Sequence, residues 1–333
     1  MKPIRIAQIG VNTYSHGNAI YRTVKRMPEL FDFVGVALPE NERERLPKSV
    51  DQLGEFTELT VDEILKDPSI EAVLVETDEI CLTKYAQMVA DAGKHMHMEK
   101  PGGTDLGAFE ALINTLRDKK TVFHTGYMYR YNTYVMDLLA RVRAGELGEI
   151  ISVEAQMNCT HVDWVRRWVG GFPGGMMFFL GCHLTDLILL FQGAPKRIIP
   201  LNKSTGMDGI VSEDFGMAVF EYENGVSFAK TTDIERGGYL RRQLVVTGTK
   251  GTVELRPFEM SAGPNDLQRT GKREVFDSAW GADGEFVFSE PRGRYDRMME
   301  SFAAYVRGEK ENPYTLDYEL ELYKTVLKTC GVL

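Results

Sequence analysis

The sequence predicts an α/β protein with two domains: a doubly wound parallel sheet over residues 1–125, and over 126–333 a second α/β domain with an open, mostly antiparallel sheet. Three observations carry this. Up to about residue 125, short runs that are apolar on both faces alternate with helix-length segments, the pattern of βαβ units. Beyond it, strand-like segments follow one another through tight turns, which cannot extend a parallel sheet. And 333 residues exceed what one core comfortably organises.

Taken in order, 4–9 (IRIAQI) reads as a buried strand, Gly10 as its turn, and the stretch after VNTYSHG as a helix ending near Pro28. Residues 33–38 (FVGVAL) and 72–75 (AVLV) read as further buried strands, 82–92 as a helix, 106–119 as another and 121–124 as a strand. In the second part, 131–143 is helical and 149–159 alternates like a strand. The glycine-rich turn at 170–175 precedes one long apolar helix to Phe191. Strands near 214–222, 226–233, 242–247 and 250–255 pair as hairpins through Asn224-Gly225 and Thr249-Lys250-Gly251. Two last helices, near 293–308 and 316–329, can pack back on the first domain.

Composition removes several classes. A net charge of −9 without a basic block argues against nucleic-acid binding, which needs a basic face. No apolar run reaches the roughly 18 residues of a membrane helix. Cys81, Cys159, Cys182 and Cys330 match neither metal-pair nor disulfide spacing, and the first ten residues already read as strand. The expectation is a cytoplasmic protein without metal; His95 and His97 share a strand face but lack a third ligand at recognisable spacing.

The segment that organises the chain is 93–103, GKHMHMEKPGG. It places Lys100 on the last residue of a strand, before Pro101, at the carboxyl rim where open α/β sheets bind ligands. The turn after the first strand would set a dinucleotide pyrophosphate on a helix N-terminus, but of the GxGxxG fingerprint only Gly10 stands. Asn12 tolerates positive φ and Ser15 is small; Thr13 and Tyr14 complete the turn. The acid that should hold the adenosine ribose after the second strand is best supplied by Glu40, while Arg43 and Arg45 could equally attract a 2′-phosphate. Either NAD or NADP fits, with a lean to NAD. The cofactor contacts expected are Gly10, Asn12, Thr13, Tyr14, Glu40, Thr77, Glu99, Lys100 and Pro101.

A second constellation follows the glycine turn. Phe179, His183, Asp186 and Leu190 fall on one helical face, and His183 there suits general acid/base work. The alternative is a core histidine satisfied by Asp186 or a carbonyl. Trp164, Arg167 and their neighbours suit recognition of a sugar or carboxylate, or equally an interface; Tyr127, Tyr129 and Arg130 share that ambiguity. The substrate contacts expected are Tyr127, Arg130, Trp164, Arg167 and Asp186.

With IAQIG, AGKHMHMEKPGG (92–103), TGYMYRYN (125–132) and GGMMFFLGCHLTD (174–186), the chain resembles the glucose–fructose oxidoreductase/inositol dehydrogenase (Gfo/Idh/MocA) family along most of its length. The resemblance implies an N-terminal Rossmann domain, a homodimer or homotetramer formed through the second domain's sheet, and hydride transfer between a nicotinamide cofactor and a sugar, polyol or related hydroxyl compound. It implies that Lys100 contacts substrate and nicotinamide ribose and that His183 accepts the alcohol proton. Thr77-Asp78-Glu79 replaces the family's Thr-Pro-Asn, and Phe179 stands where many members carry an Asp, leaving proton work to Lys100 and His183. Two alternatives are redox-assisted elimination or hydrolysis of a glycoside with retained NAD, and a non-catalytic nucleotide- or sugar-binding sensor.

Overall fold

The computed structural model describes residues 2–12, 14, 16–264 and 266–333. The chain divides into two compact units, Met1–Tyr127 with Tyr295–Tyr323, and Met128–Arg294 with Lys324–Leu333.

In the first unit β1 (Ile4–Ile9), β2 (Phe31–Ala37), β3 (Ala72–Val75), β4 (His95–Met98) and β5 (Phe123–Thr125) form one parallel sheet in the order β2-β1-β3-β4-β5. Every residue of β3 is buried, as a strand covered on both faces requires. Helices Gly17–Lys25, Glu79–Asp91 and Leu106–Arg117 make the long crossovers. One parallel bridge, Val36 to Glu58, adds a rudimentary strand outside β2. Because β1 lies between β2 and β3, the chain leaves it to opposite sides. The carboxyl ends of β1 and β3 are therefore the switch point where such sheets bind ligands.

β4 ends at Met98, so Lys100 lies two residues beyond the strand rather than on its last residue. Glu99 N–H still bonds Val75 O at 3.0 Å, and Pro101, which has no N–H to donate, cannot extend the ladder.

The second unit holds an eight-stranded sheet. Its strands include β6 (Ile150–Asn158), β7 (Arg197–Pro200), β8 (Phe215–Glu221), β9 (Val226–Thr232), β10 (Gln243–Gly248) and β11 (Thr252–Leu255). The order is Glu285–Phe288, Gly271–Val275, β11, β10, β6, β9, β8, β7, and only β6 and β9 run parallel. Val153, Ala155, Met157, Ala218, Phe220, Ala229, Leu244 and Val246 alternate onto one fully buried face. The helix Gly181–Gln192 packs against β6 and β9.

The long helix expected between the glycine turn and Phe191 is two, Met176–Phe179 and Gly181–Gln192, parted at Leu180. Gly181 opens the second helix close to the Met177 side chain. Phe179 therefore ends the short helix and does not share a continuous helical face with His183 and Asp186.

Candidate active site

The β1 turn is built around a glycine that nothing else replaces. Gly10 has φ +88°, donates its N–H to Ala37 O at 2.8 Å, and would bring a Cβ to 2.4 Å from Thr77 Cγ2. Asn12 is buried and ties this turn to the segment after β3. Its Oδ1 accepts from Tyr14 N–H at 2.9 Å, while Nδ2 donates to Thr77 O at 3.3 Å and Glu79 Oε2 at 3.1 Å. Tyr14 is 42% exposed. Thr13 and Ser15 lie outside the described residues.

Glu40 points elsewhere. It accepts from Lys84 Nζ at 2.5 Å and Tyr85 OH at 2.7 Å, and these two hydrogen bonds hold its carboxyl below the ordinary range. The acid that reaches the turn is Glu42, which the sequence reading missed. Glu42 is fully buried; Oε2 accepts from Val11 N–H at 3.1 Å and Oε1 has no hydrogen-bond partner. Burial pushes its carboxyl up to about 8, against the pull of the Val11 amide. A buried carboxyl oxygen without a partner beside the dinucleotide turn fits a ribose hydroxyl, which can donate or accept, so the residues present suit a dinucleotide. Of the two candidate 2′-phosphate cations, Arg43 is paired with Glu58, and Arg45 bonds Asp78 Oδ2 at 3.2 Å and Glu40 O at 2.9 Å.

At the sheet rim Lys100 is only 2% exposed. Its N–H donates to Glu99 Oε1 at 2.9 Å, and its Nζ stands 4.0 Å from the same oxygen. Glu76, Glu79 and Glu99 are all buried, and burial raises each carboxyl, Glu79 to about 7; the Lys100 charge opposes that rise in all three. The three carboxyls lie in a low-dielectric site, where the influence of Lys100 on them is stronger than it would be in water. The Glu76 and Glu79 contribution was visible in the sequence only as the run ETDE. Pro101 O accepts from Tyr127 OH at 3.4 Å, so Lys100, Glu99, Pro101 and Tyr127 do come together.

His97 and His124 meet Nδ1 to Nδ1 at 2.6 Å on neighbouring strands, so one donates and the other accepts. Burial drives His97 down to about 3, a neutral imidazole. Among the described residues no group of three His, Cys, Asp or Glu could hold a metal ion.

In the second unit His183 is 1% exposed on the helix Gly181–Gln192, with the Tyr129 ring edge-on at 4.9 Å. Tyr129 is fixed in turn: its OH donates to Glu259 Oε2 at 2.6 Å and accepts from Arg294 Nη2 at 3.0 Å. Arg130 and Asp186 bond one another through Nε and Nη2, at 2.9–3.1 Å. On the helix Asp163–Val169, Trp164 is 53% exposed and Arg167 is exposed too, whereas their neighbour Arg166 is buried.

Residues 4–127 match the profile of the oxidoreductase family with NAD-binding Rossmann fold, and residues 135–254 that of the GFO/IDH/MocA C-terminal domain. The chain is 25% identical over 273 residues to trans-1,2-dihydrobenzene-1,2-diol dehydrogenase of Bos taurus, covering 80% of this chain and 78% of that one. It is 24% identical over 277 residues to D-xylose 1-dehydrogenase (NADP(+)) 2 of Haloferax volcanii, covering 81% and 80%. Levoglucosan dehydrogenase, in its complex with NADH and levoglucosan, superimposes with a TM-score of 0.77 at 18% identity, over 99% of this chain and 97% of that one; this likeness is one of fold. No helix among the described residues is long and apolar enough to cross a membrane. A parallel sheet with its dinucleotide turn, a mostly antiparallel second sheet and both family profiles place this chain in the Gfo/Idh/MocA family of NAD(P)-binding oxidoreductases.

Proposed function

We propose that the protein is a dehydrogenase of a sugar or polyol hydroxyl, using NAD in preference to NADP. The observation that carries the reading is Lys100, buried among Glu76, Glu79 and Glu99 just past the end of β4. A buried ammonium of this kind donates to the oxygen of a bound alcohol and stabilises the alkoxide that forms as its proton leaves. His183 is the acceptor of that proton, imidazole being the side chain that titrates near neutrality. Tyr129, packed edge-on against the ring, fixes its orientation. Gly10, Asn12 and Glu42 would hold the dinucleotide, whose nicotinamide supplies the hydride acceptor. The preference for NAD rests on the Glu42 acceptor and on the acidic partners already held by Arg43 and Arg45. The relatives' names, a xylose dehydrogenase and a cyclic diol dehydrogenase, and a fold neighbour that takes levoglucosan support a polyhydroxylated substrate.

The test is turnover of D-xylose, D-glucose, levoglucosan and myo-inositol with NAD and with NADP, followed by the fluorescence of the reduced nicotinamide. Oxidation of at least one, faster with NAD, is expected. No reduction of either cofactor with any of them would end the dehydrogenase reading.

A further inference from the structure

On the face of the parallel sheet that carries His97, strand register lines up a row of buried polar side chains. Leu74 pairs with His97 and His97 with His124, so Glu76 and Glu99, two residues further along their chains, fall on the same face. Glu76 is fixed at the carboxyl end of β3 by its N–H, which donates to Ile9 O at 2.9 Å. Its carboxyl is fully buried, and neither oxygen has a hydrogen-bond partner. The helix Gly17–Lys25 closes over it: at Gly17 a Cβ would stand 3.0 Å from Glu76 Oε2. A buried carboxyl left without a donor calls for an account, since such groups are normally hydrogen-bonded.

Oε1 of Glu76 lies 3.6 Å from His97 Nε2, an electrostatic contact rather than a hydrogen bond. The other nitrogen of that ring makes the Nδ1–Nδ1 bond to His124 at 2.6 Å. The charged groups around the carboxyl are Glu99 and Lys100 beyond β4 and Glu79 at the start of the helix Glu79–Asp91. His16, at the N-cap of the helix Gly17–Lys25, stands behind Glu99, its Nδ1 3.9 Å from Oε2. The helix Asp296–Val306 contributes rings, Phe302 stacked on His124 at 5.2 Å and Tyr305 at 6.0 Å. Burial and then the Glu99 charge raise the Glu76 carboxyl well above 4.5, against the pull of Lys100, which makes it a neutral acid at neutral pH.

A neutral imidazole carries one N–H, so the state of Glu76 selects the tautomers behind it. When Glu76 is the acid, its O–H faces a bare Nε2; His97 then carries its proton on Nδ1 and donates to His124. When Glu76 is a carboxylate, it draws the His97 proton to Nε2, and the bare Nδ1 accepts from His124. The short bond reverses direction, each ring keeps one proton, and only Glu76 has lost one.

We propose that Glu76 is a positioning residue that acts through Lys100: as a neutral acid it lets the ammonium serve the alcohol oxygen, and as a carboxylate, supported by the reversed His97–His124 pair, it draws the ammonium away. The effect on Lys100 rests on the dehydrogenase reading; the reversal of the histidine pair does not.

The test follows nitrogen NMR spectra of the full chain, labelled at its histidines, from about pH 6 to about pH 10. Coupling between two Nδ1 nuclei across their hydrogen bond picks out the pair. In wild type both rings should stay neutral and exchange their protonated nitrogens at one common midpoint. In Glu76→Gln, whose amide keeps a donor towards His97, the exchange should vanish. On the best panel sugar, kcat/KM should fall by about 10- to 100-fold across that same midpoint in wild type and not in Glu76→Gln. Should Glu76→Gln not fold, Glu79→Gln takes its place: it removes a charge that raises the Glu76 carboxyl, so the midpoint should move down. A single tautomer throughout in wild type overturns the proposal, as does an exchange that survives Glu76→Gln or a midpoint unmoved in Glu79→Gln. Loss of the exchange with superimposable pH profiles of kcat/KM overturns the action on Lys100 and leaves the dehydrogenase standing. A wild type silent on the whole panel removes the dehydrogenase reading and that action with it, while the spectra still decide the reversal.

Discussion

Arg130 grips Asp186 through two guanidinium nitrogens, Nε at 2.9 and 3.1 Å from the two carboxylate oxygens and Nη2 at 2.9 Å from one of them, with both side chains 1% exposed. Each residue on its own reads as a substrate contact; together they consume much of one another's bonding capacity. Removing one partner should leave the other's buried charge without this ion pair. Asp186→Asn is expected to cost about 3–5 kcal/mol in urea unfolding. Replacing both by apolar residues of similar volume should recover most of that loss. A change in substrate KM with stability untouched would instead make the pair a recognition element.

Glu42 and Glu40 should separate cleanly in cofactor titrations. Glu42→Ala, which removes the acceptor at Val11 N–H, is expected to weaken NADH by about tenfold or more, measured by fluorescence. Glu40→Ala should change NADH affinity less than threefold, since its carboxylate is spent on Lys84 and Tyr85. The reverse ranking would return the ribose role to Glu40.

Gly10→Ala tests the turn itself. The substitution forces φ +88° on a residue with a side chain and drives its Cβ into Thr77. A loss of about 1–3 kcal/mol in stability is expected, with weakened NADH binding in whatever remains folded. Wild-type stability would mean that the β1 turn relaxes away from Thr77.

Acid should act through Glu259. Burial alone would raise this carboxyl, but the charges and hydrogen bonds of Arg294 and Arg242 outweigh it and bring it from 4.5 to about 2. Its folded value is depressed, so the stability it contributes is present above about 4.5 and lost as pH falls towards 2. The amount is about 3 kcal/mol in that window. Unfolding of the wild type between pH 5 and 2.5 should therefore show a loss that Glu259→Gln does not. Parallel curves would contradict this.

Much of the fold was legible because burial on both faces leaves a plain mark. AVLV at 72–75 can be little else, and the parallel sheet followed from such runs. The helix break at Leu180 was not legible, because Met176–Phe179 on its N-terminal side is apolar all round and gives no polar stripe to fix the phase. Lys100 and His183 were singled out from their segments alone, and the structure buries both. Glu42 was missed because Glu40 and Asn41 both adopt left-handed conformations, φ 56° and 54°, and this turn brings to Val11 N–H an acid two residues beyond Glu40.

The most direct test of the account is steady-state turnover of the best panel sugar by wild type, Lys100→Ala and His183→Ala, with NADH affinity measured on the same preparations. Each variant is expected to lose about 10²- to 10⁴-fold in kcat while remaining folded, and His183→Ala should keep its NADH affinity within a few-fold. Turnover at the wild-type level in both would contradict the assignment of the proton chemistry to these two side chains.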